Sequence, residues 1–194
     1  MKNKLVSAGL GLGIGLMALG STAALAQQPY YDNDYGLYLG ASAGELMYNE
    51  QGLPQMNPTI GEFRVGQQFS QYLAIEGRIG TSVSGGRTYA YGQGYHVNAQ
   101  AIYGAYVKGM LPFNPWISGY AIAGLGGAQW HRDYPSYNSN DVGLSFGVGA
   151  EFHLGGNASF DVEWARLTNG TNPSDGYNYS YSANQLTFGV NWRL

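Results

Sequence analysis

The chain of 194 residues contains no cysteine, and only 11% of its residues carry a charged side chain. The lack of cysteine excludes a disulfide framework, a thiolate metal site and a cysteine nucleophile. Soluble helical domains carry roughly 25% charged residues, so the low charge argues against that class. The formal net charge is −3, so no basic excess is present, which argues against nucleic acid as a partner.

Long hydrophobic runs are also missing after the amino terminus, which excludes transmembrane helices in the remainder of the chain. The amino terminus itself is typical of a cleavable export signal. Its features are Lys2, Lys4, an uncharged segment over residues 5–19, and the small residues Ala24 and Ala26 before the expected cleavage point. We therefore predict a signal peptide over residues 1–26 and one mature domain over residues 27–194.

The sequence is rich in glycine and tyrosine, with 31 and 17 residues, and these recur in eight segments in which apolar and small or polar residues alternate. In the last segment, Leu186, Phe188, Val190, Trp192 and Leu194 alternate with Gln185, Thr187, Gly189, Asn191 and Arg193. Such alternation indicates strands with one apolar face. The pattern predicts an all-β fold, an eight-stranded antiparallel up-and-down barrel that spans a membrane.

The connections between the segments alternate in length, as expected for an antiparallel barrel with long loops at one rim and short turns at the other. The predicted long loops cover residues 45–58, 84–93, 131–140 and 168–178, and the predicted short turns cover residues 67–71, 112–115 and 155–157. In outer-membrane barrels the short turns are periplasmic. Both termini are therefore expected in the periplasm.

The polar face of the segments decides between a membrane barrel and a soluble, lipocalin-like barrel. It consists mostly of glycine, serine and a few charges, which suits a narrow, filled lumen better than a soluble exterior. We predict an ion-pair network in this lumen from Glu62, Arg64, Glu76, Arg78, Lys108, Glu151, Asp161, Glu163 and Arg193. The alternative for the same charges is a path for protons or ions.

Four segments of the mature chain carry a resemblance to a known family: residues 116–126, 147–152, 161–164 and 186–194. With them the chain resembles the small eight-stranded outer-membrane barrels of the opacity-protein and OmpA/OmpX-like superfamily, often called porin-family proteins. It implies the outer membrane of a Gram-negative bacterium, contact with outer-membrane lipid and lipopolysaccharide, and help from periplasmic chaperones and the barrel-assembly machinery. It also implies an assembly signal in the last strand, at Phe188, Val190, Trp192 and Leu194, where the family normally ends in phenylalanine.

Some small outer-membrane barrels are enzymes, so the three histidines are candidate catalytic residues. None of His96, His131 and His153 has the His-x-Ser pairing of the lipid A deacylases. His131 and Asp133 form a possible base and carboxylate, but no serine nucleophile accompanies them. We predict no catalytic residue, no metal site and no cofactor.

Aromatic residues near the segment ends predict interfacial girdles, because a ring with a polar tip is stable at a membrane surface. These residues are Tyr38, Tyr72, Tyr103, Trp116, Trp130, Trp164 and Trp192. A second group is placed in the loops, either as an adhesive surface or as strand extensions. It comprises Tyr89, Tyr91, Tyr95, Tyr134, Tyr137, Tyr177, Tyr179 and Tyr181.

Three functions are compatible with these features. The first is a non-enzymatic surface protein that supports envelope integrity and binds an extracellular ligand through its loops. The second is a narrow channel for small solutes or ions, and the third is a lipid-modifying enzyme.

Overall fold

The alternating segments form nine strands in the computed structural model, which describes residues 35–51, 54–90, 93–132, 137–174 and 177–194. The strands are β1 (Leu37–Glu50), β2 (Thr59–Ser70), β3 (Leu73–Ser84), β4 (Gly86–Ala90), β5 (Gln93–Asn114), β6 (Ile117–Arg132), β7 (Tyr137–Gly155), β8 (Ala158–Ser174) and β9 (Tyr177–Arg193). Among the described residues, no helix is long and apolar enough to cross a membrane. The predicted signal peptide and its cleavage residues, Ala24 and Ala26, lie outside the described residues.

The sheet closes into an eight-stranded barrel because β1 pairs with β9 and β3 pairs with β5, all antiparallel. The short strand β4 also pairs with β5, so β3 and β4 are two parts of one barrel strand. Between the pairs Gly80↔Ile102 and Gly86↔Val97, this strand has one more residue than β5. The extra residue is a bulge, which bends a strand without removing it from the sheet.

The two rims of the barrel differ in their connections. The terminal rim, as we name it, holds Leu37, Leu194 and the short turns β2–β3, β5–β6 and β7–β8. The Leu194 N–H donates to the Leu37 carbonyl at 3.0 Å, which ties the two described chain ends together. In the β7–β8 turn, Gly155 and Gly156 have φ angles of 90° and 61°, a region in which other residues are strained. The opposite, distal rim holds the other connections.

The strands continue much further towards the distal rim than the alternation predicts. The predicted loops over residues 84–93 and 168–178 lie mostly within β4, β5, β8 and β9. Strand β5 has 22 residues, whereas a transmembrane strand needs about 9–11. The loop prediction was wrong there because serine, asparagine and tyrosine continue the backbone ladder without an apolar face to mark it.

The outward face carries the apolar residues, as the alternation predicts. Phe146 and Val190 are about half exposed, whereas Ser145 is buried in the interior. Several bulges interrupt this alternation, and two of them lie between Ala99 and Ala101 and between Arg166 and Thr168. The alternation over residues 97–107 predicts Ala99 among the outward apolar residues, but the bulge turns it inward and it is only 1% exposed.

The distal half of the interior is apolar, which the sequence did not predict. We name this group the distal cluster: Leu46, Tyr48, Met56, Ile60, Ala99, Ile102, Ala128, Trp130, Leu167, Tyr181 and Ala183. Trp130 and Tyr181 are thus interior residues and not girdle or loop residues. Tyr38, also assigned to a girdle, is buried in the terminal half of the barrel.

Part of the β1–β2 connection completes the distal cluster. Tyr48 and Met56 form an isolated antiparallel bridge, with backbone hydrogen bonds of 2.9 and 3.0 Å. The Leu46 N–H donates to the Pro58 carbonyl at 2.9 Å, so this segment continues along β1. The Met56 side chain is fully buried as a result.

Candidate functional site

The terminal half of the interior contains a network of buried charges. Eight of the nine residues predicted for the lumen lie there and are at most 8% exposed: Glu62, Arg64, Glu76, Arg78, Lys108, Glu151, Asp161 and Glu163. They occupy inward positions of β2, β3, β5, β7 and β8. Arg193 is different, because it is only half-buried at the terminal rim and forms no ion pair with the described residues. It continues the inward alternation of β9 after Asn191 and borders a small cavity that Lys108 and Glu151 also border. Its membership of the ion-pair network stays a prediction.

The first group of the network is centred on Asp161, which is fully buried. Arg64 Nη1 donates to Asp161 Oδ2 at 2.9 Å, and Arg64 Nη2 donates to Thr187 at 3.1 Å. Tyr120 and Asn191 also donate to this carboxylate, at 3.2 and 2.9 Å. Asp161 thus accepts hydrogen bonds from side chains on β2, β6 and β9, and so links opposite sides of the lumen.

The second group is centred on Arg78. Its Nη1 and Nη2 donate to the two oxygens of Glu163 at 2.5 and 2.8 Å, and its Nε donates to Glu76 at 2.5 Å. The guanidinium also lies over the Tyr106 ring, 4.8 Å from its centroid. A two-pronged contact of this kind suits the planar fork of arginine and fixes its orientation.

The third group joins Lys108 to Glu151 near the terminal rim. Lys108 Nζ donates to Glu151 Oε2 at 2.8 Å and lies 4.1 Å from the centroid of the Tyr120 ring. Ser159 donates to the other oxygen of Glu151 at 2.6 Å. Both oxygens of this carboxylate are therefore occupied.

Neutral side chains also donate hydrogen bonds to the carboxylates of the network. They were not predicted from the sequence. Tyr38 donates to Glu76 at 2.6 Å, and Ser42 donates to Glu62 at 3.3 Å. Gln185 donates to both oxygens of Glu62. All three lie at inward positions of β1 and β9. Their place in the alternation could therefore have identified them as lumen residues.

Glycines on the inward face make room for the large side chains. A Cβ on Gly66 would collide with the Tyr38 ring, and one on Gly149 would collide with the Tyr120 ring. Each tyrosine lies flat against the wall where its neighbour lacks a side chain. The many glycines therefore allow a narrow lumen to hold arginines and tyrosines together.

The buried charges are unequal in number. The carboxylates Glu62, Glu76, Glu151, Asp161 and Glu163 outnumber the cations Arg64, Arg78 and Lys108 by two. Charges removed from water are stable only when they are paired and hydrogen-bonded. Arg64 and Arg78 therefore each pair with two carboxylates, whereas Lys108 pairs with Glu151 among the described residues.

A serine–histidine contact near the terminal rim was not identified from the sequence. Ser118 Oγ lies 3.2 Å from His153 Nε2. In a catalytic triad the histidine is oriented by a carboxylate, but among the described residues no carboxylate oxygen bonds to His153. The nearby Glu151 is held by Lys108 and Ser159. Asp133, the predicted partner of His131, lies outside the described residues.

A small cavity lies at the terminal end of the lumen. It has a volume of about 10 Å³ and is bordered by Lys108, Glu151, Asn191 and Arg193. This is about the space that one water molecule needs. No group of three or more potential metal ligands occurs among the described residues.

The sequence also matches a known family. Residues 12–193 match the family described as outer membrane protein beta-barrel domain. The chain belongs to this family. No curated protein sequence matches it.

Solved structures of the same fold come from several bacteria and share little sequence with this chain. Neisserial surface protein A (NspA) has a TM-score of 0.58 at 13% identity, covering 82% of this chain and 97% of NspA. OprG from Pseudomonas aeruginosa has a TM-score of 0.54 at 8% identity, covering 82% and 97%. The attachment invasion locus protein Ail of Yersinia pestis has a TM-score of 0.50 at 15% identity, covering 81% and 99%. At these identities the likeness shows the fold alone.

Membership of the outer-membrane barrel family identifies the outward apolar face as the lipid-facing surface in the outer membrane of a Gram-negative bacterium. Phe188, Val190 and Trp192, predicted as parts of the assembly signal, are exposed on this face of β9, and Leu194 follows them at the rim. The charge network lies on the opposite face of the same strands.

Proposed function

We propose that this protein is a non-enzymatic outer-membrane surface protein with a closed barrel, which supports envelope integrity and binds an extracellular ligand at its distal end. The observation that carries the proposal is the filled interior. Ion pairs occupy the terminal half, and the distal cluster occupies the other half.

The packing of both halves argues against the alternative of a small-solute or ion channel. Eight-stranded barrels have interiors that side chains fill. Arg64 and Arg78 are 1% and 3% exposed and bridge β2 or β3 to β8 across the lumen. A permeating ion would have to separate these pairs and then displace the fully buried Met56.

We propose that the termini are periplasmic and that the distal rim is extracellular. The short turns of the terminal rim support this orientation, because outer-membrane barrels keep short turns on the periplasmic side. Strands β5 and β7, with 22 and 19 residues, would then extend beyond the membrane into the extracellular space. The last strand would be read by the barrel-assembly machinery during insertion, with periplasmic chaperones as earlier partners.

The distal strand extensions would provide the surface for an extracellular ligand. Ail, which shares the fold, is named an attachment invasion locus protein and has been crystallised with the heparin analogue sucrose octasulfate. For this chain we propose attachment through the distal surface, without assigning the ligand chemistry of Ail.

Planar-bilayer recording tests the closed barrel directly. We expect no stable conductance from the purified full chain, because the interior pairs and the distal cluster block the lumen. Met56→Gly removes a fully buried side chain of the distal cluster but leaves the charge network intact. It therefore tests whether the distal cluster contributes to the block. Large, stable conductance in the parent protein would overturn the closed barrel and favour the channel.

A deletion strain tests the role in the envelope and at the cell surface. We expect higher permeability to a hydrophobic dye and weaker attachment to host cells, both restored by the parent gene. Attachment unchanged in the deletion strain would refute the proposed surface role.

A further inference from the structure

Arg166 is an unusual residue on the outward face of β8. Its neighbours Ala165 and Leu167 are buried in the interior, each 1% exposed, whereas Arg166 is half-buried on the outside. In the sheet it is paired with Phe146 on β7 and Asn184 on β9. On the β9 side the outward residues become polar from this level towards the distal rim, at Asn184 and Ser182. On the β7 side the exposed Leu144 and Val142 continue the apolar face further.

The backbone at this position is fixed from inside the barrel. The bulge between Arg166 and Thr168 places Leu167 and Thr168 both in the interior. Ser145 Oγ donates to the Arg166 carbonyl at 2.6 Å, so the carbonyl at the bulge is satisfied. Bulges commonly redirect a side chain at a functional position.

The guanidinium group is held in a defined orientation. Arg166 Nε donates to Asn184 Oδ1 at 3.1 Å, and the guanidinium carbon lies 5.9 Å from the centroid of the Phe146 ring. Phe146 in turn makes an edge contact with Trp164, with centroids 6.4 Å apart. These contacts restrict the side chain before any ligand is present.

The two terminal nitrogens of Arg166 remain available. Neither Nη1 nor Nη2 has a hydrogen-bond partner among the described residues. An arginine on the lipid-facing side of a barrel is costly at the bilayer midplane and much less costly near the interfaces. A planar fork with free donors matches the geometry of a phosphate or carboxylate.

We propose that Arg166, oriented by Asn184 and Phe146, binds a phosphate group of a phosphorylated glycolipid in the outer leaflet of the outer membrane. The exposed rings of Phe146 and Trp164 and the exposed Leu186 flank the guanidinium on the outward face. The ligand therefore needs acyl chains for this surface as well as an anionic headgroup. The choice of a glycolipid rests on the proposed orientation, in which the distal rim faces the extracellular side.

The test is lipid binding by the refolded full chain in zwitterionic detergent, measured by native mass spectrometry during titration. The probes are diphosphorylated lipid A, the same lipid without its phosphates, and phosphatidylglycerol. We expect the protein to retain diphosphorylated lipid A in preference to both other lipids. Arg166→Gln should weaken this binding about tenfold, as for the loss of charge-assisted hydrogen bonds. Arg166→Lys should bind more weakly than the parent, because lysine lacks the fork.

Arg87→Gln is the matched control, because Arg87 is an exposed cation on β4 away from this group. It should bind lipid A like the parent. An equal loss in Arg87→Gln and Arg166→Gln would reduce the interaction to general charge attraction and overturn the site. Equal retention of the lipid without phosphates would overturn phosphate recognition, and equal retention of phosphatidylglycerol would overturn the choice of glycolipid.

The folded state of each variant is checked by its heat-dependent migration on gels. This experiment does not depend on a closed lumen, so a conducting barrel that binds lipid A would refute only the proposed function. A closed barrel that shows no preference for lipid A would refute only this site.

Discussion

Replacing Arg78 by methionine tests whether the interior charges form a dry, mutually dependent network. The change removes two donors to Glu163, one donor to Glu76 and a cation above the Tyr106 ring. Both carboxylates are almost completely buried and lose their cation together. Breaking a buried pair from one side costs about 3–5 kcal/mol, which is the loss of unfolding free energy we expect for Arg78→Met.

Glu163→Gln breaks the same contact from the other side and should cost less. The interior carries two more carboxylates than cations, so removal of Glu163 lowers the imbalance whereas removal of Arg78 raises it. Arg78 also keeps Glu76 as a partner, and a glutamine oxygen still accepts one hydrogen bond. We expect a loss of about 1–3 kcal/mol, the usual cost of a weakened hydrogen bond to a charged group.

The assay is urea unfolding in lipid vesicles, followed by tryptophan fluorescence, for Arg78→Met, Glu163→Gln and the double variant. The double variant should be more stable than Arg78→Met, because one stranded charge has been removed. Arg87→Gln serves as the control, because Arg87 is exposed on β4, and should change the unfolding free energy by about 0–1 kcal/mol, as for exposed charges. If Arg78→Met also lowers the unfolding free energy by less than about 1 kcal/mol, the interior ion pairs are exposed to water. That result would refute the dry, mutually dependent network.

Three further predictions concern the lipid face, the glycines and the distal cluster, and all are measured by the same unfolding assay. Val190→Arg should cost about 2–4 kcal/mol if the residue lies near the bilayer midplane; a neutral effect would mean that this face does not contact lipid. Gly66→Val should cost about 1–3 kcal/mol by displacing the Tyr38 ring, whereas Gly109→Val, which meets nothing within 4 Å, should be tolerated; equal effects would refute the role of the glycine. Met56→Ala should cost about 2–5 kcal/mol and Met56→Leu less than about 1.5 kcal/mol; equally small losses for both would mean that the segment around Met56 is loosely packed.

The alternation predicted the barrel and its faces well because period two is a direct consequence of strand geometry. In β9 the outward Phe188 and the inward Thr187 follow from the sequence alone. The same rule failed at Ala99, because a bulge changes the phase and leaves no mark in hydrophobicity. The girdle assignment of Trp130 and the loop assignment of Tyr181 were wrong for a different reason, since an aromatic ring suits a membrane interface and a packed interior equally well.

The charge network was predictable only as a set of residues. Inward phase indicated that Arg64 and Arg78 share the lumen with several carboxylates. The pairing of Arg78 with Glu163 rather than Asp161 depends on the stagger of the strands, which no local pattern contains. The neutral partner Asn191 was missed for the same reason, because its contact with Asp161 joins residues on neighbouring strands.

The principal interior pairs join residues far apart in the chain. Arg64 and Asp161 are separated by 97 positions, and Arg78 and Glu163 by 85. An open sheet cannot form these contacts, because they cross the lumen and exist only after the first and last strands have met. Contacts of such high sequence separation slow folding. They must also break together before the barrel can open, so the inserted protein should persist through a high unfolding barrier even where its equilibrium stability is modest.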